Sequence, residues 1–370
     1  MLQRRQSVPL AGYTTLGLGG PAARLAEAGT AQDAIEAVLE ADRAGEPLLV
    51  LGGGSNLVIA DEGFPGTVVK MATSGMRCSR DRDAGPLGGV SVTAAAGQTW
   101  DELVSWAVTE KLAGIECLAG IPGLVGATPI QNVGAYGQEV ASVIGAVGAL
   151  DRACGEVVTL SGPRLGFGYR TSVFKSTPWP AAGPAGPTGR YVVLDVTFTL
   201  ASDPMSVPVR YAELAGLLGI ATGGQAPLGD VAQAVLGLRR GKGMVLDPAD
   251  PDTRSAVSFF TNPALDAAAF ARLQRLAGRR SPGTAVPCFP AAGGLVKVPA
   301  AWLIEQAGFG KGYPGAGPAR ISSKHTLALT NRGGATTAEL IALARQIAGG
   351  VRSVFGIELV NEPALVGVSL

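Results

Sequence analysis

The sequence predicts a protein of mixed α and β structure divided into two or three domains, and three observations point there. Segments with helical spacing alternate with short apolar runs suited to strands, the pattern of mixed α and β structure. A chain of 370 residues that is 47% hydrophobic exceeds the usual size of one core. Two glycine-rich runs read as ordered loops between the periodic segments, and no internal repeat of fixed period is present.

The elements follow in order. Thr30 is a good N-cap with Asp33 three residues on, and Ile35, Val38 and Leu39 continue at helical spacing to a stop at Gly45, which predicts a helix. Pro47 to Leu51 is an apolar run ending abruptly in Gly52-Gly53-Gly54-Ser55-Asn56, a buried strand that delivers a glycine loop. Val90 to Ala96 predicts another strand. Thr99 with Glu102 spells a second capping box, for a helix with Leu103, Trp106 and Ala107 on its apolar face and Gly114 at its end. The stretch Gly120 to Gly137 is too rich in glycine and proline for helix or strand, and an ordered loop of that length is usually functional. Pro178 to Gly189 reads as a flexible, inert surface connection, and Tyr191 to Leu200 alternates as a strand. Thr336 and Glu339 form a third capping box, opening a helix with Leu340, Leu343, Ala344 and Ile347 on one face and a short strand, Ile357 to Val360, after it.

Composition excludes several classes. Lys and Arg total 30 against 29 Asp and Glu, so the general electrostatic footprint of nucleic-acid or membrane-surface binding is absent and any basic site is local. The start, Met1 to Pro9, carries charges with no apolar segment behind them, and no apolar run approaches the ~18 residues needed to span a bilayer, so the expected location is the cytoplasm. Cys78, Cys117, Cys154 and Cys288 lie far apart without CxxC spacing, which predicts neither a disulfide framework nor a zinc site. His325 is the only histidine, so no metal site built on several imidazoles is expected.

Several segments have the residue types for chemistry. Gly52 to Asn56 lets backbone N–H groups approach a phosphate, with Ser55 and Asn56 adding side-chain donors; the same run also serves as a plain turn. It matches neither GxGxxG nor the P-loop. In the second loop system Thr128, Gln131 and Asn132 can bond an isoalloxazine edge or a phosphate, and Tyr136 offers a stacking surface; a well-packed turn cluster is the rival reading. Arg170, in Phe167-Gly-Tyr-Arg-Thr-Ser-Val-Phe174, sits among apolar neighbours, which suits a substrate anion or a buried ion pair. Ser258 and Asn262 flank an apolar patch where a hydroxyl could donate a proton, and Glu362 precedes a proline and an apolar run.

Taken in order, these segments resemble the UDP-N-acetylenolpyruvoylglucosamine reductase (MurB) family from Pro9 to Gly367. The match rests on Tyr13-Thr-Thr-Leu-Gly17, Gly53-Gly-Ser-Asn56, Gly120-Ile-Pro-Gly123, Gly126-Ala-Thr-Pro-Ile-Gln-Asn-Val-Gly-Ala-Tyr-Gly137, Phe167-Gly-Tyr-Arg170, Ser258-Phe-Phe and Glu362. The resemblance implies a two-domain FAD-binding module of the vanillyl-alcohol-oxidase type plus a substrate-binding α+β domain. The implied bounds are 1–72 and 73–210 for the two FAD subdomains, with 356–370 joining the second, and 211–355 for the substrate domain. It further implies reduction of UDP-N-acetylglucosamine enolpyruvate to UDP-N-acetylmuramate for peptidoglycan synthesis, with FAD as cofactor and NADPH as donor, the enolpyruvyl substrate taking the place that NADP+ leaves. Catalytic roles fall on Arg170 and a protonated Glu362 as stabilisers of developing negative charge, and on Ser258 as proton donor to carbon. Implied cofactor contacts come from Gly52, Gly53, Gly54, Ser55 and Asn56, from Pro122, Gly123, Thr128, Pro129, Gln131 and Asn132, and from Gly134, Ala135 and Tyr136. Implied substrate contacts are Tyr169, Asn262, Lys242 facing the diphosphate, and Tyr211, carried over the substrate by a loop of the first subtype. No metal, nucleic acid or membrane partner is implied, and a monomer is expected. Three positions depart from the pattern: Val257 stands where glycine is usual, Arg254 where tryptophan is common, and Gly166 where arginine is usual. If the glycine before the serine takes positive φ, Val257 is strained there. For His325 a structural role is weighed above a functional one. An FAD oxidase and a non-catalytic nucleotide-binding protein are the rival functions; the set Arg170, Ser258 and Glu362 argues against the first.

Overall fold

The computed structural model describes residues 2–80, 89–180, 186–280, 283 and 285–370. The chain divides into two compact units, one formed by Met1–Val8, Ala22–Gly54 and Phe64–Gly241, the other by Pro9–Pro21, Ser55–Gly63 and Lys242–Leu370.

The first unit contains two sheets. In the four-stranded sheet the order is Gln3–Pro9, Pro21–Ala28, Phe64–Met71, Leu48–Leu51, with the last three strands mutually parallel. The helix Ala31–Arg43 begins as the sequence predicts: the Thr30 hydroxyl accepts the Asp33 N–H at 3.1 Å and the Asp33 carboxylate accepts the Thr30 N–H at 3.2 Å. Its buried face is Ala34, Ala37, Val38 and Ala41. The second sheet is antiparallel, in the order Glu156–Ser161, Ile144–Asp151, Tyr191–Ser202, Gly89–Ala95, Met76–Arg80, with Leu112–Ala113 also paired to the long central strand. Trp100 and Phe198 meet in its core with ring centroids 5.9 Å apart.

Some local expectations are corrected. Thr99 is the N-cap of Trp100–Thr109, but its side chain caps nothing, because Glu102 instead accepts from Gln98 Nε2 at 2.5 Å. Lys111, at φ +59, follows the end of this helix; Gly114 comes only after the strand Leu112–Ala113. The Pro178 to Gly189 connection, of which residues 181–185 lie outside the described residues, is anchored at its end and not loose. Buried Arg152 holds Asp42 through two hydrogen bonds of 2.9 and 2.5 Å and donates to the carbonyls of Thr188 and Gly189, while the Thr188 hydroxyl accepts the Val50 N–H at 2.7 Å. That last bond braces the strand that leads into the first glycine loop.

In the second unit Leu57–Ile59 pairs in parallel with Ala364–Val366. A hairpin of Ala319–Ile321 with Leu329–Asn331 and a small sheet of Ala264–Leu265, Val296–Lys297 and Phe289–Pro290 complete its strands. Helices Ala267–Arg280, Ala300–Gln306 and Thr337–Phe355 supply Leu273, Leu303, Ile304, Leu340, Ile347 and Phe355 to a core shared with Phe259 and Phe260. The third capping box forms, and Asp61 adds to it by accepting the N–H groups of Thr337 and Ala338 at 2.7 and 2.9 Å. Ile357 to Val360 is not a strand. Its only described ladder contact is the Thr261 N–H to the Val360 carbonyl at 2.9 Å, and regular pairing begins at Ala364.

The first unit extends to Gly241, since Leu214, Val231 and Val235 from helices Ala212–Leu217 and Leu228–Gly241 belong to its core. The C-terminal strand likewise pairs with Leu57–Ile59 and not with the sheet of the 73–210 segment.

Candidate functional site

Within the first unit the two glycine loops come together. A Cβ on Gly53 would lie 2.8 Å from the Gly123 Cα, so the backbones meet at a distance only glycine allows. Among the described residues the amides of Gly52, Gly53 and Gly54 make no main-chain hydrogen bond, which leaves a run of donors of the kind that cradles a phosphate. The second loop is pinned from below: the Asp101 carboxylate accepts the Gly120 N–H, the Gly123 carbonyl accepts the Trp100 N–H, and the Leu118 carbonyl accepts Trp100 Nε1. Buried Arg239 donates from Nε to the Gly120 carbonyl at 3.2 Å, and its pKa is pushed down to about 10 by burial, against the pull of Tyr136 and Asp101.

Two of the polar residues expected to face a cofactor are turned inward. The Thr128 hydroxyl donates to the Val125 carbonyl, and Asn132, 1% exposed at φ +48, donates from Nδ2 to Glu139 and the Gly168 carbonyl and accepts the Ala141 N–H. Their side chains build the loop itself. Pro122, Gln131, Ala135 and Tyr136 are half-buried, and Pro129 is buried.

Arg170 is held by this loop. Its Nη1 donates to the Asn132 carbonyl at 3.2 Å, its Nη2 to the Gly134 carbonyl at 2.9 Å, and its guanidinium carbon lies 5.4 Å from the ring centroid of exposed Tyr169. Gly134–Ala135 and Gln138–Glu139 form a two-residue hairpin whose turn residues, Tyr136 at φ +49 and Gly137 at φ +85, both take the left-handed conformation that tight hairpins require. The Tyr136 ring stands at its tip, edge-on to Tyr211 at 5.3 Å between centroids.

Within the second unit Ser258 and Glu362 are brought together. The Glu362 N–H donates to the carbonyl of Phe259, the residue after Ser258, and Phe260 bridges Asn361. Asn56 joins them: Nδ2 donates to the Glu362 carbonyl at 3.4 Å and its own carbonyl accepts the Ala364 N–H. Val257 stands at φ +60, the strained conformation foreseen for a β-branched residue there, and its N–H donates to Ser255 Oγ at 3.1 Å. The Asn262 Oδ1 accepts the Ala300 N–H at 2.8 Å, at the start of the helix Ala300–Gln306. Gly166 takes φ +56 and ends a short 3-10 turn; Arg254 is exposed.

His325 is the electrostatic anomaly of this unit. Burial first, then the positive charges of Lys242 and Lys311, push its pKa down to about 4, so it is neutral at pH 7 beside two cations. Its own N–H donates to Ser322 Oγ.

Known proteins match this arrangement throughout. A model described as FAD binding domain matches residues 22–161, and one described as UDP-N-acetylenolpyruvoylglucosamine reductase, C-terminal domain, matches 248–366. The chain is similar to the UDP-N-acetylenolpyruvoylglucosamine reductase of Thermobifida fusca, 56% identical over 99% of this chain and 98% of that protein. The chain belongs to the UDP-N-acetylenolpyruvoylglucosamine reductase family. The reductase of Streptomyces coelicolor is 54% identical over 100% of this chain and 92% of its own. Among solved structures, the reductase of Thermus caldophilus superposes with a TM-score of 0.61 at 25% identity, covering 99% of each chain. In this reductase family chain the glycine cradle of the first unit, braced by Gly53 against Gly123, fits the phosphates of FAD, because bare amides and glycine backbone are what a pyrophosphate needs. Sequence reasoning missed Glu116, Arg152 and Asp61; a lone acid in the apolar run Ala113-Gly-Ile-Glu-Cys-Leu-Ala119 was the available signal for the first.

Proposed function

We propose that this chain reduces UDP-N-acetylglucosamine enolpyruvate to UDP-N-acetylmuramate with FAD as cofactor and NADPH as donor, in peptidoglycan precursor synthesis. The observation that carries the reading is 56% identity to a curated reductase over 99% of the chain, across both units. FAD held in the glycine loops would supply the redox chemistry, the transfer of two electrons from NADPH to the terminal carbon of the enol ether as hydride.

The chain's own residues answer the charge that this creates. Negative charge develops on the neighbouring carbon and its carboxylate, and Arg170 meets it with a guanidinium already oriented by two loop carbonyls, so no reorganisation is needed at that moment. Glu362, carrying a proton, donates a hydrogen bond to the same carboxylate. Ser258 then gives its hydroxyl proton to the carbon, completing addition of hydride and proton across the double bond. Lys242 faces the diphosphate, Tyr211 and Tyr169 line the sugar path, and Asn262 contacts the substrate through Nδ2. A cytoplasmic location is part of the same reading, because UDP-sugars and NADPH are cytoplasmic metabolites.

The test is anaerobic reduction by NADPH followed by the enolpyruvyl ether, with the flavin bands as readout. Prompt reoxidation is expected; none rejects the reading. In Ser258→Ala, bleaching by NADPH should stay near normal while reoxidation slows by about two to four orders of magnitude. Two normal half-reactions would remove Ser258 from the proton-donor role.

A further inference from the structure

The carboxylate of Glu116 lies in the first unit, 0% exposed, in the 3-10 turn Glu116–Leu118. A buried carboxylate requires partners, and both of its oxygens have one: Oε2 accepts the Gly114 N–H at 2.7 Å and Oε1 accepts the Val207 N–H at 2.9 Å. The neighbouring Cys117 N–H donates to Gln138 Oε1 at 2.8 Å. Burial and the charge of Glu116 push the Cys117 thiol up to about 12, so it stays neutral beside the carboxylate.

These bonds reach two arms. Gln138 is the first residue after the Tyr136–Gly137 turn, and Val207 lies four residues before Tyr211. The second arm is also tied to its own side, by the Ser206 N–H to the Ala226 carbonyl, the Val209 N–H to the Gly224 carbonyl and the Gly223 N–H to the Val209 carbonyl. The arms meet again at their tips, where the rings of Tyr136 and Tyr211 stand edge-on and a Cβ on Gly137 would lie 3.3 Å from the Arg210 Cβ. One short turn therefore sets the origin of both arms, and the aromatic pair reports their alignment.

We infer that Glu116 is a positioning residue for substrate capture, fixing Tyr211 against Tyr136 through Val207 and, by way of the Cys117 amide, Gln138. The inference rests on the proposed role of Tyr211 over the UDP-sugar. It concerns affinity and not the chemical step, because Glu116 is sealed from solvent and touches no reacting atom.

Glu116→Gln tests it, since an amide presents one oxygen where two N–H donors need two acceptors. At saturating NADPH the KM for the enolpyruvyl ether should rise about tenfold, the effect of one unsatisfied buried donor, with kcat within about twofold of the parent. The deciding readout is a double-mutant cycle with Tyr211→Ala. If Glu116 acts through Tyr211, adding Glu116→Gln to Tyr211→Ala leaves KM nearly unchanged. An equal KM rise in both backgrounds, an unchanged KM, or a fall confined to kcat overturns the inference. Should Glu116→Gln fail to fold, Gln138→Met cuts the Tyr136 side of the same node with Glu116 intact, and the same rise, again lost in the Tyr211→Ala background, is expected. If the unmodified enzyme is not reoxidised by the ether, the functional reading has failed; if it is and the cycle is additive, only the role of Glu116 has.

Discussion

Val257 holds the backbone before the proposed proton donor at φ +60, where the Cβ of an L-residue crowds the following carbonyl at a cost of roughly 1–2 kcal/mol. Replacing it by glycine removes that cost and returns freedom to the unfolded chain, which takes back up to about 1 kcal/mol. Val257→Gly should therefore leave stability unchanged or raise it by about 1 kcal/mol, seen as a urea midpoint that does not fall. A lower midpoint would mean that the valine side chain contributes more packing than its backbone costs. The proposed active serine is thus seated by a local conflict between residue type and backbone, the place where strain is tolerated when surroundings fix the geometry. Asn132 shows the opposite case, a polar residue expected at a ligand and found instead with its amide committed to Glu139, Gly168 and Ala141.

The long helix Thr337–Phe355 begins under two caps, the Thr336–Glu339 box and the Asp61 carboxylate. A lost cap costs roughly 0.5–2 kcal/mol, and the two do not share donors. Thr336→Ala should fall at the low end of that range, because its loss leaves Asp61 in place, while Asp61→Ala, which strips two N–H groups at once, should cost more; urea denaturation of the two variants orders them. The contrast also marks what the sequence can reveal. Helices Ala31–Arg43 and Thr337–Phe355 were legible because their caps and apolar faces lie within a few residues of each other, as were the buried strand Leu48–Leu51 and the loop it delivers. Asp61, Arg152 and Glu116 were not, since each acts on backbone groups far away in the chain, and no local pattern encodes a partner 276 or 91 positions distant. The same limit explains Thr99: its pattern matched a capping box, but Gln98 competes for Glu102. At the candidate site the residue types were readable, whereas the inward turn of Thr128 and Asn132 depends on the loop's own closure.

Over the whole molecule, acid stability turns on a few buried groups. His325 titrates near 4 folded and near its ordinary 6.5 unfolded, so between those values the unfolded chain binds a proton that the folded one refuses. Stability should be full above about pH 6.5 and decline as the pH falls toward 4, and His325→Gln should flatten that decline when urea midpoints are compared between pH 7 and 4. Asp151 and Asp252 act lower: the Arg190 bond holds the first below its ordinary range, and for the second burial is outweighed by Ser323, Ser322 and Arg332, so their contributions fade only below the usual carboxylate pKa. The second unit is also assembled from three separate stretches of chain. Asn56 and Glu362, which meet through a side chain and adjoin the parallel pair Leu57–Ile59 and Ala364–Val366, are 306 positions apart. At ribosomal speeds of about 5–20 residues per second, Asn56 is translated roughly 15–60 s before its partner exists. Through that interval the nascent polypeptide carries the apolar edge Leu57–Ile59 without the strand that pairs with it, so an early-made segment must stay unaggregated until a late one is translated.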